Sequence, residues 1–138
     1  MNRLELQRLS RLRLRDARIL HANRSYDGAY YLMGYAVECA LKACIAKRTR
    51  RYDFPDRKFV SDVYTHDLGK LLRLTGLVDE HERECIRNPT FDLNWTMIKD
   101  WSEQSRYNIG VDWSQAASFR RAVVSRRNGV LPWLQKWW

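Results

Sequence analysis

Residues 29–47 read AYYLMGYAVECALKACIAK, and their apolar side chains cover most of the circumference when successive residues are placed about 100° apart. A helix of that kind is stable only when other helices enclose it, so the segment predicts the central helix of a bundle. Gly34 and the alanines leave room for a neighbouring helix to approach closely. Glu38 and Lys42 interrupt the run, which falls well short of the roughly 20 apolar residues of a membrane span.

The remaining segments are read around this one. From Leu4 to His21, the residues Leu6, Leu9, Leu12, Ala17, Ile19 and Leu20 gather on one side. Arg8, Arg11, Arg15 and Arg18 fall within an arc of roughly 80° on the other, giving an amphipathic helix with an arginine stripe. Arg13 and Asp16 intrude on the apolar side, where a neighbouring helix or subunit would have to pair them. Residues 23–28 read as a turn, with Ser25 or Asp27 as cap of the next helix. Residues 48–64 lack a clean period and hold Pro55, which predicts a loop. Thr65 then caps a short helix over 67–75, and a second short helix over 78–87 stops before Asn88-Pro89. Trp95, Ile98 and Trp101 recur at helical spacing, and a last helix starts after Asp112 or Ser114 and is disturbed at Gly129 and Pro132. Strand signals are weak throughout, so the expectation is one all-α domain over 1–138.

With 25 Lys+Arg against 16 Asp+Glu the chain carries a formal net charge of +9, mostly as arginine. The guanidinium fork matches two phosphate oxygens at once, which favours RNA, DNA or nucleotides over an acidic protein as the partner. A merely solvated basic surface is the bland alternative. The N-terminus has no apolar stretch suited to secretion, and the three cysteines Cys39, Cys44 and Cys85 are an odd number without framework spacing. No disulfide, no membrane and a reducing cytoplasm are therefore expected.

Three segments then acquire a shared meaning. Tyr26 to Ala43, reading YDGAYYLMGYAVECALKA, resembles the second-helix signature of prokaryotic HEPN domains. Thr65-His66-Asp67-Leu68 with Leu71-Leu72 resembles the next marker of that family, and Asn94-Trp95, Trp101-Ser102 and Arg106-Tyr107 resemble the third. The three keep the family's order and span nearly the whole chain. The resemblance implies a dimeric bundle of four to five helices with a long second helix and a functional cleft where subunits meet. It implies RNA-cutting toxins or defence proteins, often paired with a minimal nucleotidyltransferase. It also admits nucleotide binders and non-catalytic interaction modules that bind such a partner. A DNA-binding helical regulator is disfavoured, since no compact helix-turn-helix spacing is present.

Ribonuclease members of that family carry an arginine and, four to six residues later, a histidine. Arg106 lies where the arginine falls, but Tyr107 to Trp113 hold no histidine. Arg127-Asn128 imitates the start of the motif without completing it, and the interval occurs once, from Arg15 to His21, in the wrong helix. Metal-free RNA cleavage needs a proton carrier for the 2′-hydroxyl and a cation for the charge growing on phosphorus. His66 is therefore the candidate carrier and Arg106 the candidate cation, with Tyr107, Asn108, Glu38, Lys42 and Asp67 as ligand-binding candidates in a basic cleft near the dimer interface that would take RNA or a nucleotide. No metal or other cofactor is expected.

Each candidate also has a structural reading. Glu38 and Lys42, one turn apart, pair to fix helix register or line a polar cleft beside Arg106. Asp67 suits a helix N-terminus through the helix dipole. His81 and Cys85 are two ligands short of a structural zinc site and read better as exposed helix residues. Trp133, Leu134, Trp137 and Trp138 suggest a dimer contact.

Overall fold

The computed structural model describes all of the chain except residues 50–53 and 55. Its centre is α2 (Tyr26–Arg48), which touches α1 (Arg3–Ala22), α4 (Leu68–Leu74), α7 (Trp113–Val124), α8 (Val130–Gln135) and a 3-10 turn (Glu103–Tyr107). The helices α3 (Arg57–Val63), α5 (Val78–Arg87) and α6 (Pro89–Lys99) complete the order, and no strand occurs among the described residues. The expected bundle is carried by the five helices of ten residues or more, α1, α2, α5, α6 and α7, with three shorter helices added. Ala29, Met33, Ala36, Val37, Ala40, Leu41, Ala43 and Cys44 of α2 are all buried, as a helix apolar around its girth requires. Phe91, Ile98, Phe119, Leu131 and Leu134 close over it in the same cluster. Each such side chain contributes about 1.5–3 kcal/mol of transfer free energy.

α1 runs antiparallel to α2 across a short turn in which Arg24 takes the left-handed conformation, at φ 62°. Its buried residues are Leu6, Gln7, Ser10 and Ala17, and the Ser10 hydroxyl donates to the Ala36 carbonyl at 2.8 Å. Small residues therefore line the seam, and the periodicity expectation needs correction, because Leu12 and Ile19 are exposed. A close helix pair leaves no space for them. Arg13 and Asp16 pair with each other at 2.9 Å, so the intruding charges are answered within α1 itself.

Several boundaries also move. α2 begins at Tyr26, three residues before the expected start; Ser25 is its N-cap residue but makes no side-chain cap bond. Of the expected 48–64 loop, Arg57–Val63 is helical, capped by Asp56 and braced by Lys58 and Asp62 at 3.7 Å; Pro55 lies outside the described residues. Asp67, not Thr65, caps α4, accepting from the Lys70 amide at 2.9 Å, while Thr65 Oγ1 accepts from the Asp67 amide. α7 starts after Asp112, which accepts from the Gln115 amide at 2.7 Å, and the chain turns at Gly129 into the separate α8.

His81 is not exposed. It is enclosed edge-on by Phe91, Trp95 and Trp133, and Cys85 beside it is half-buried. Trp133 and Leu134 belong to the core of one chain rather than to a subunit contact. The three cysteines are free, and burial pushes the thiols of Cys39 and Cys44 up to about 12 and that of Cys85 to about 11. None is a nucleophile near neutral pH. Among the described residues no helix is long and apolar enough to cross a membrane.

Candidate functional site

Glu38 sits in the middle of α2, where the helix meets α4 and the 3-10 turn, and is only 2% exposed. Burying a carboxylate is costly unless partners answer its charge, and here two do. Lys42 Nζ donates to Glu38 Oε1 at 3.0 Å, one helical turn along α2. His66, in the loop that leads into α4, brings Nδ1 to 2.8 Å from the same oxygen. The other face of the ring turns to a second acid, with Nε2 3.1 Å from Glu103 Oε2. The ring thus bridges two carboxylates, one on each nitrogen. Asp67, next to His66, begins α4, which holds the loop against α2.

The 3-10 turn packs on α2 because of a glycine. The Trp101 indole packs so closely on Gly34 that an added Cβ would collide with its ring atoms, and it stacks on Tyr31 with centroids 6.0 Å apart. That contact brings residues 103–107 alongside the turn of α2 that carries Glu38. Asp27, in the first turn of α2, secures the following loop by accepting from the Val111 amide at 2.7 Å and the Gly110 amide at 3.4 Å.

Arg106 projects from the 3-10 turn into solvent, with its guanidinium 4.9 Å from the Tyr107 ring centroid. Its pKa is raised further, chiefly by the Tyr107 hydroxyl and then by Glu103. Arg106 stands in the same 3-10 turn as Glu103, the acid that His66 Nε2 meets. Tyr107, Asn108, Ile109 and Trp113 are exposed beyond it. Tyr35 is also part of this region, its hydroxyl pKa raised by burial and then by the neighbouring Cys39 and Glu38.

Five buried side-chain polar atoms among the described residues lack a hydrogen-bond partner, and three of them belong to this seam: Glu38 Oε2, Trp101 Nε1 and Ser105 Oγ. Buried polar atoms are nearly always bonded, so the concentration marks a place where a bound molecule or water finds partners.

Of the residues expected from sequence, Glu38, Lys42 and His66 meet directly, while Arg106 lies on the neighbouring 3-10 turn and contacts Tyr107. Asp67 acts as a cap, and Asn108 ends the 3-10 turn with its backbone amide bonded to the Ser105 carbonyl. Arg15 and His21 do not form a unit, since His21 faces Arg120, whose Nη1 lies 3.5 Å from Nδ1. Asn128 is structural: its carbonyl accepts from Asn94 and its side chain from Asn88, both at 2.9 Å. Glu103 was missed; its sequence signal is an acid three residues before the candidate arginine. No group of three His, Cys, Asp or Glu among the described residues is arranged to hold a metal ion.

An all-helical bundle whose long second helix, post-turn histidine and late arginine converge on one seam defines a class of helical domain. The HEPN domain family model matches residues 5–124, and the chain belongs to that family. Membership points to RNA-binding or nuclease-type function at the level of the family. No curated protein and no solved structure matches the chain.

Proposed function

We propose that this HEPN protein binds RNA and acts as a homodimer in a toxin or defence setting, with Glu38, His66, Glu103 and Arg106 as its chemical centre. The observation that supports this most is the placing of the His66 ring between two carboxylates, the outer of which belongs to the same 3-10 turn as Arg106. Glu38 accepts from the Nδ1–H, so a ring that carries its one proton there has Nε2 free to take a proton once the ligand displaces Glu103. In metal-independent cleavage the 2′-hydroxyl gives its proton to Nε2 and its oxygen attacks the adjacent phosphorus. The bond to the 5′-oxygen breaks, and that oxygen takes a proton from solvent. Arg106 stabilises the charge on the phosphoryl oxygens through this step. Lys42 pairs with Glu38 at 3.0 Å, and Tyr107 and Asn108 border the ligand.

The test is a labelled RNA incubated with the purified full chain in EDTA. Cutting to a 2′,3′-cyclic phosphate, lost in both His66→Gln and Arg106→Ala, is the expected result. Cutting that persists at the parental rate in either variant overturns the assigned roles, and RNA that is neither bound nor cut overturns the reading. Exposed Tyr107, Ile109 and Trp113 beside Arg106 suit the subunit contact, which light scattering of Trp113→Ser against the parent tests.

A second reading, a non-catalytic module that binds a minimal nucleotidyltransferase, is favoured by one feature. Both ring nitrogens of His66 are already taken by carboxylates, so no free base stands ready. RNA that stays intact, together with a stable complex with that partner, would support it.

A further inference from the structure

The charges of the seam nearly cancel, since Glu38 and Glu103 stand against Lys42 and Arg106. The positive potential of the molecule arises elsewhere, and α1 alone carries Arg3, Arg8, Arg11, Arg13, Arg15 and Arg18. At about 100° per residue, Arg18, Arg11, Arg15 and Arg8 occupy the outer side of α1. Leu4, Ile19 and Leu12 complete an arc of roughly 120° that holds no carboxylate. All four arginines are exposed, and the three aliphatic residues are 64%, 55% and 43% exposed. The opposite side of the helix, with Leu6, Ser10 and Ala17, is committed to the core.

The rise of the helix sets the arginines in steps of about 4.5, 6 and 4.5 Å along one line. Asp16, at the edge of the arc, takes Arg13 at 2.9 Å and touches Arg15 at 3.4 Å, while Arg11 rests over the Trp138 ring at 4.8 Å. Arg8 and Arg18 have no carboxylate partner among the described residues. At the C-terminal end of α1, Arg120 of α7 meets His21 and extends the cationic surface.

We infer that the outer face of α1 is a track for the phosphates of single-stranded RNA. This rests on the RNA reading above and says where the backbone lies. A line of guanidinium forks at turn intervals fits a repeating phosphodiester, and the aliphatic border fits ribose and base edges. A membrane surface fits less well. The cations occupy the arc together with the aliphatic residues, so inserting Leu4, Leu12 and Ile19 would draw guanidinium groups into the acyl region. An acidic protein partner is separated from RNA by the experiment.

The test measures anisotropy of a labelled 20-nucleotide single-stranded RNA bound to the full chain over a salt series. In one variant Arg8, Arg11, Arg15 and Arg18 are replaced by Gln; in a charge-matched control the exposed Arg73, Arg83, Arg126 and Arg127 are replaced instead. Single-strand binding loses about 0.7 of log–log salt slope per phosphate contact, so the α1 variant should lose about 3 and the control much less. Equal losses in the two variants overturn the track while leaving RNA binding intact. A parent that fails to bind at low salt overturns the RNA reading together with the track. A polyglutamate peptide that displaces the RNA at lower concentration than unlabelled RNA does assigns the face to an acidic protein and overturns it too. Circular dichroism of both variants should match the parent, because every substituted side chain is exposed.

Discussion

His66 Nδ1 and Glu38 Oε1 stand 2.8 Å apart although 28 residues separate them in sequence, and Lys42 Nζ reaches the same oxygen at 3.0 Å. One buried carboxylate oxygen thus joins α2 to the loop before α4. The contact ties two segments together around an acid that is only 2% exposed.

Replacing Lys42 by Met should therefore cost more than an ordinary surface substitution. It leaves Glu38 buried with His66 as its sole polar partner, and breaking a buried pair in this way costs about 3 kcal/mol. Lys70→Met, which removes the more exposed contact with Asp62 at 3.4 Å, should cost under about 1 kcal/mol. Urea unfolding of the two variants checks the contrast; similar midpoints would mean that Glu38 finds another partner.

Gly34→Ala should displace the 3-10 turn. The added Cβ meets the Trp101 ring, so the indole must leave its stack on Tyr31 and carry residues 103–107 with it. Overpacking costs typically 1–3 kcal/mol, and a value of about 3 is expected because a whole ring must move. Near-UV circular dichroism should fall while far-UV helicity persists. The displaced Glu103 should separate from His66, which the histidine ring resonances would register by NMR.

Asp27→Ala should free the loop at Gly110 and Val111 without unravelling α2. The loss is about 1.5 kcal/mol, within the range for hydrogen bonds to a charged acceptor in a half-exposed setting. Hydrogen exchange at the Val111 amide should accelerate, while Ala36 and Leu41 in the buried part of α2 keep their protection. Acceleration throughout α2 would instead show that Asp27 supports the helix itself.

The sequence made α2 legible because its apolar residues leave only one way to be enclosed. The face of α1 was harder to read. Hydrophobicity puts Leu12 and Ile19 inward, but the glycine- and alanine-rich surface of α2 draws the helices close and selects Ser10 and Ala17 for the seam. Within the site, Glu38 with Lys42 was readable from spacing along one helix, and His66 from the marker that holds it. Glu103 was not, since its partner lies on another segment and a lone acid in a turn looks like solvent-facing charge. His81 was misread for a related reason: Phe91, Trp95 and Trp133 surround it from outside its own helix, which α5 periodicity does not reveal.

That enclosure makes His81 a determinant of acid stability. Burial lowers its pKa below the ordinary 6.5, opposed in part by the charge of Asp92, so the folded state holds the ring neutral. The unfolded chain takes up a proton near pH 6.5 while the folded chain does not. As pH falls below that value the unfolded state binds more protons, and this contribution to stability declines until the folded ring itself titrates. It is fully present above about pH 6.5 and shrinks on acidification. His81→Phe keeps an aromatic ring among its neighbours and removes the proton site, so its melting temperature should fall less than that of the parent between pH 7.5 and 5.5. Parallel curves for the two proteins over this range would assign the acid sensitivity to other groups. A steeper fall in the variant would contradict the neutral, buried ring.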